Sequence, residues 1–118
     1  MPIFGKRPKS SVTVPCEVSD GKIHLCYSDQ KVSIAIDEIA HVEFEYDFAL
    51  GLMASVIFVF TNNEIISFNG HVLFETGVIE SIQKVLPGFL GENELKKILD
   101  EAPMYGTEFL WSKNRVQT

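Results

Sequence analysis

From residue 12 to residue 68 apolar and polar side chains alternate with a period of two, broken only at short polar turns, and this spacing predicts consecutive β-strands. Val12, Val14, Cys16 and Val18 form one face of a first strand, 12–18, with Thr13, Pro15 and Glu17 opposite. Pro15 has no backbone donor, which puts this strand at a sheet edge or beside a bulge. Asp20-Gly21 then supplies two residues that tolerate positive φ, a strong hairpin signal. The next strand, 22–27, turns Ile23, Leu25 and Tyr27 one way; after a turn at Asp29-Gln30, a third, 31–36, does the same with Val32, Ile34 and Ile36. A two-residue loop pairs Val18 with Ile23, Cys16 with Leu25 and Val14 with Tyr27, so every inward residue meets another. A loop one residue longer would pair Cys16 with Cys26, but it would also turn the two apolar sets to opposite faces. Cys26 therefore belongs outside with Lys22 and His24, and no disulfide joins it to Cys16.

The clearest alternation runs over 40–48, with Ala40, Val42, Phe44, Tyr46 and Phe48 inward and His41, Glu43, Glu45 and Asp47 outward. Leu50-Gly51 marks a bend. Residues 52–60 are apolar on both faces, as in a central strand covered on both sides. Asn62-Asn63 turns the chain into 64–68, and Asn69-Gly70 closes the strand region. The period then changes. Phe74, Val78, Ile82 and Val85 recur at helical spacing, predicting an amphipathic helix within 71–86, with Thr76 a candidate N-cap and Pro87-Gly88 the stop. Asn93 caps a second helix over 94–101, which Pro103 ends. The remainder reads as a tail rich in aromatic residues. Strands followed by helices define an α+β class: an antiparallel meander forming a bent sheet or partly open barrel, capped by the amphipathic helix.

At 118 residues the chain suits one domain, read as 12–118 behind a loose basic arm, 1–11. Lys6, Arg7 and Lys9 lie in that arm; residues 10–118 hold seven basic against sixteen acidic side chains. Such a body repels nucleic acid and anionic lipid at long range and favours a basic partner. Residues 1–11 lack the apolar core of a secretory signal, and the longest apolar stretch, 48–60, is 13 residues where a spanning helix needs about 20. These features predict a cytoplasmic protein with reduced thiols and no integral membrane segment.

In residues 22–86, the segments GKIHLCYSDQKVSIAIDEIAHVEFEY, IFVFTNNEIISF and ETGVIESIQKVL are similar to the early strands, late hairpin and closing helix of the bacterial pleckstrin-homology-like domains and the related GRAM type. The resemblance lies in element order and a few local residues. It implies a seven-stranded scaffold; six strands are evident, so the seventh is absent or hidden in 1–11 or 48–54. Lipid-binding members hold inositol phosphates with basic residues around the first hairpin loop. Here that loop is Ser19-Asp20-Gly21-Lys22, with one Lys against one Asp, so the resemblance carries the scaffold without the phosphoinositide site.

Candidate chemistry is sparse. His41 and Glu43, two apart on a strand, could share one metal ion, but further ligands on that strand lie too far away, and no metal site is assigned. Cys26 near His24 lacks a third group to orient a nucleophile, and Cys16 reads as a small core residue. No glycine-rich phosphate loop, Cys-x-x-Cys or Gly-x-Ser-x-Gly occurs. The sequence therefore predicts neither an enzyme nor a cofactor. Two surfaces are candidates for recognition: the acidic row Glu43, Glu45 and Asp47, which is otherwise a solvated strand face, and the tail residues Tyr105, Phe109 and Trp111, which either pack over the sheet or dock a partner. The expected function is a non-enzymatic protein-interaction domain, of the immunity, antitoxin or adaptor kind, binding a basic protein. The alternatives are a membrane-peripheral lipid-binding module or a small-ligand-binding domain.

Overall fold

The computed structural model describes residues 14–49 and 53–113. Among these residues the fold is α+β, with two antiparallel sheets, neither closed, and two α-helices. The first sheet holds β1 (Cys16–Ser19), β2 (Lys22–Tyr27) and β3 (Gln30–Ala35) in sequence order. The second holds β4 (Ile39–Asp47), β5 (Met53–Phe60), β6 (Ile65–Asn69) and β7 (Tyr105–Ser112) in the order β6-β5-β4-β7. A single 3-10 turn, Ile36–Glu38, links the sheets.

The first hairpin follows directly from its turn residues. Asp20 and Gly21 have φ of 54° and 72°, the two positive values a twist-matched two-residue loop needs. That loop sets Val18 opposite Ile23 and Cys16 opposite Leu25, as the alternation requires. The strand itself begins later than the pattern predicts. Val14 is 48 % exposed and precedes the ladder, because Pro15 has no N–H to contribute; only its carbonyl joins, accepting from Cys26 N at 3.0 Å. The second loop is Ser28-Asp29 rather than Asp29-Gln30: Tyr27 pairs with Gln30, and Ser28 takes the positive φ, 56°.

The core lies between the inward faces of the two sheets and the helices. Its largest fully buried side chains include Phe44, Phe58, Phe68, Ile23, Leu25 and Ile34. The expected helix over 71–86 divides in two. A 3-10 turn, Gly70–Phe74, comes first, with Asn69 Oδ1 accepting from His71 N at 2.9 Å; α1 (Val78–Val85) follows, starting from Gly77 rather than Thr76. Gly77 has φ of 79°, so the chain turns sharply there and Phe74 packs from outside the helix. Val78, Ile79 and Ile82 of α1 are buried, and its C-cap is Leu86, ahead of Pro87. The second helix, α2 (Glu92–Glu101), starts two residues earlier than Asn93 predicts, because Glu94 Oε1 accepts from Gly91 N at 3.2 Å and satisfies a free helix-start donor.

The main departure from the sequence pattern is β7. The aromatic tail is a strand, and after both helices it returns to pair antiparallel with β4. A register shift between Val42 and Glu43 gives β7 one extra residue, Leu110, so that Leu110 and Trp111 are both buried although adjacent. Among the described residues a seventh strand is present, and it follows both helices. The bend at Leu50-Gly51 and the arm 1–11 lie outside the described residues. Among the described residues no helix is long and apolar enough to cross a membrane.

Candidate functional site: the outer face of the four-stranded sheet

Pairing registers decide which residues meet on the face turned away from the core. On β4 these are His41, Glu43, Glu45 and Asp47, alternating with the buried Val42, Phe44 and Tyr46. β7 sets Phe109 opposite Glu43, Thr107 opposite Glu45 and Tyr105 opposite Asp47. On the other side, β5 sets Val59 opposite His41, Ile57 opposite Glu43, Ser55 opposite Glu45 and Met53 opposite Asp47; Ile65 on β6 then faces Val59. Directly paired residues share a face. The two segments nominated separately, the acidic row and the aromatic tail, therefore form one surface.

This corrects the expectation that β5 is covered on both sides. Its inward residues Val56 and Phe58 are fully buried, whereas on the outer face Met53 is exposed and Ile57 and Val59 are only half-buried. Ile65, Tyr105 and Phe109 are exposed as well, at 61 %, 69 % and 52 %. Isolated exposed apolar residues need no explanation, but here they stand on β5, β6 and β7 of one face, on both sides of the acidic row of β4, and together make a recognisable interaction surface. The sequence carried the signal in the second apolar face of 52–60; what it could not supply was whether anything packed there.

At the centre of this face the His41 Nε2 atom lies 2.7 Å from Glu43 Oε2, and the imidazole stacks on Phe109 at 5.2 Å between ring centroids and 17° between planes. The pair is partly buried. At the Asp47 end of the sheet lies a hollow of about 670 Å³, lined by Asp47, Met53 and Tyr105 of this face and also by Tyr46, Gly106 and His71. No Lys or Arg occupies an outward position on any of the four strands.

Of the nominated residues, Glu43, Glu45, Asp47, Tyr105 and Phe109 lie on this surface, and Trp111 does not. Trp111 pairs with Val42 on the inward side and its indole Nε1 donates to the Pro87 carbonyl at 2.9 Å, so it anchors β7 to the end of α1. Among the described residues no three His, Cys, Asp or Glu side chains gather as a metal site. His24 Nδ1 is 2.8 Å from Ser33 Oγ on the neighbouring strand. Cys16 and Cys26 are both free thiols; burial pushes the Cys16 thiol up to about 11, so it resists ionisation.

Compared with family models, with curated proteins and with solved structures, the chain gives no match.

Proposed function

We propose that this is a non-enzymatic protein-interaction domain that binds a basic protein through the outer face of its four-stranded sheet. One observation carries the reading: Ile57, Val59 and Ile65 on one side and Phe109 on the other flank Glu43, Glu45 and Asp47 on a single face, without an outward Lys or Arg on the four strands. The apolar residues supply area to be buried in an interface, and the carboxylates between them supply attraction and register for cationic groups. The overall acidity extends that attraction outward: the chain carries sixteen acidic against ten basic side chains, a net charge of −6. In this reading the scaffold is pleckstrin-homology-like, with the meander of β1–β6 capped by α1, and the protein works in the cytoplasm as an immunity-type or adaptor protein.

Affinity capture from the source cell with the full chain, followed by salt titration of the captured partner, tests the proposal. A basic partner whose binding weakens steeply with salt supports it. The triple variant E43Q/E45Q/D47N should lose that salt dependence, and F109A should weaken binding at every salt concentration. Capture that is indifferent to both variants refutes this surface. Flotation with anionic vesicles separates the lipid-binding alternative; binding there in place of protein capture would overturn the proposal.

A further inference from the structure

A different part of the second sheet points to self-association. Among the described residues strand β6 is an edge, and the hairpin that leads into it determines which of its backbone groups point outward. Phe60 N donates to Glu64 O at 2.8 Å and Asn63 N to Phe60 O at 2.8 Å, closing a three-residue loop with Asn63 at φ 73°. Hydrogen-bonded and non-bonded pairs alternate along an antiparallel ladder. Counting from the Phe60–Glu64 pair in the observed register, Ile66 and Phe68 direct their backbone groups at β5, whereas Ile65, Ser67 and Asn69 direct theirs at the open edge.

The other three edges among the described residues are each blunted. β1 has α1 packed beside it and a proline at its entry. β3 carries an exposed Lys31. β7 is bulged at Leu110, whose carbonyl accepts from Leu90 N at 3.0 Å. Charges, prolines, bulges and covering segments are the usual devices against edge-to-edge pairing. β6, with sequence IISFN and a regular register, has none of them among its own residues.

We propose that β6 pairs antiparallel with β6 of a second copy of this chain about a two-fold axis at Ser67, joining two four-stranded sheets into one. The strand is complementary to itself. About that axis Ser67 meets its own mate, and Ile65 meets Asn69, all three with outward-directed backbone groups; Ile66 meets Phe68 on the inward side. No charge lies within 65–69, so the acidity of the rest of the chain is absent from the contact itself. A symmetric, isologous contact of this kind closes at two copies and leaves no further edge of the same type.

Sedimentation equilibrium of the full chain at about 100 μM should give a dimer, with association following mass action on dilution. The Ser67 side chain is exposed on the outer face, so S67K and S67E should fold normally by circular dichroism, and each should be monomeric because like charges face each other across the axis. An equimolar mixture of S67K and S67E should restore the dimer. A monomeric parent protein, a dimer that survives S67K and S67E, or a mixture that stays monomeric overturns the proposal. Its failure leaves the basic-partner reading intact, since that reading rests on the sheet face and is tested by capture.

Discussion

His41 and Phe109, on adjacent antiparallel strands, stack their rings 5.2 Å apart, and the same imidazole reaches Glu43 at 2.7 Å. Through this contact the last strand of the fold is joined by side chains, as well as by its backbone ladder, to the acidic row of β4. The arrangement makes one composite surface from residues more than sixty positions apart in the chain.

Trp111 holds that strand from behind. W111F should keep most of the packing but leave the Pro87 carbonyl without its indole donor, at a cost of about 1 kcal/mol. W111A should cost about 3–5 kcal/mol through the cavity it opens. Urea denaturation followed by far-ultraviolet circular dichroism checks both values. In the parent protein Trp111 is the single tryptophan and is buried, so its fluorescence should shift to the red in the same transition.

Gly106 passes beneath the Tyr46 ring. A Cβ at position 106 would sit 2.7 Å from the Tyr46 hydroxyl oxygen, and Tyr46 is buried and packed against Phe44 and Phe48. G106A should therefore destabilise the protein by roughly 1–3 kcal/mol, as overpacking does. Adding Y46F removes the clashing oxygen, so the double variant should be more stable than the sum of the single effects predicts. Denaturation of all four proteins in a double-mutant cycle measures the coupling.

Ser28 holds a left-handed conformation at the tip of the β2–β3 hairpin, φ 56°, where a residue with a side chain costs about 1 kcal/mol relative to glycine. S28G should raise the melting temperature. G21A, at φ 72° in the preceding hairpin, should lower it, although a Cβ there would meet no neighbouring atom. The opposite signs separate backbone strain from loss of contacts in differential scanning calorimetry.

How much of this was legible beforehand depended on how local the cause was. Asp20-Gly21 carries its own turn geometry, and the register Cys16–Leu25 follows from it within ten residues. The strand β4 was equally plain, because nothing interrupts its alternation between Val42 and Asp47. β7 was hidden for two reasons. Its partner lies on the far side of two helices, and its bulge sets Leu110 and Trp111 side by side in the core, which destroys the period of two at its most apolar point. Phe74 misled in the opposite direction: its spacing to Val78 is helical, but the left-handed Gly77 lies between them. Five of the six nominated surface residues share one face only because β7 pairs with β4, a relationship no periodicity within either segment encodes.

Burial raises the Cys16 thiol to about 11 from an ordinary 9.0, by desolvation of the thiolate. The unfolded chain thus gives up this proton first as pH rises. The contribution to stability is intact below pH 9 and is lost as pH climbs through 11. In a C26S background Cys16 should react with iodoacetamide more slowly in the folded protein than in urea at pH 8, with the folded rate rising between pH 9 and 11. Equal rates in the two states would contradict the assigned burial.

The closing of the second sheet by its last strand has a consequence for synthesis. During translation β4 emerges with one flank exposed, and it stays so until some sixty further residues, both helices included, have left the ribosome. Throughout that interval the nascent chain presents a nine-residue ribbon with Phe44 and Tyr46 on it to any passing polypeptide. A stop codon shortly after Pro103 would make that interval permanent, and such a product should be found in inclusion bodies or bound to chaperones.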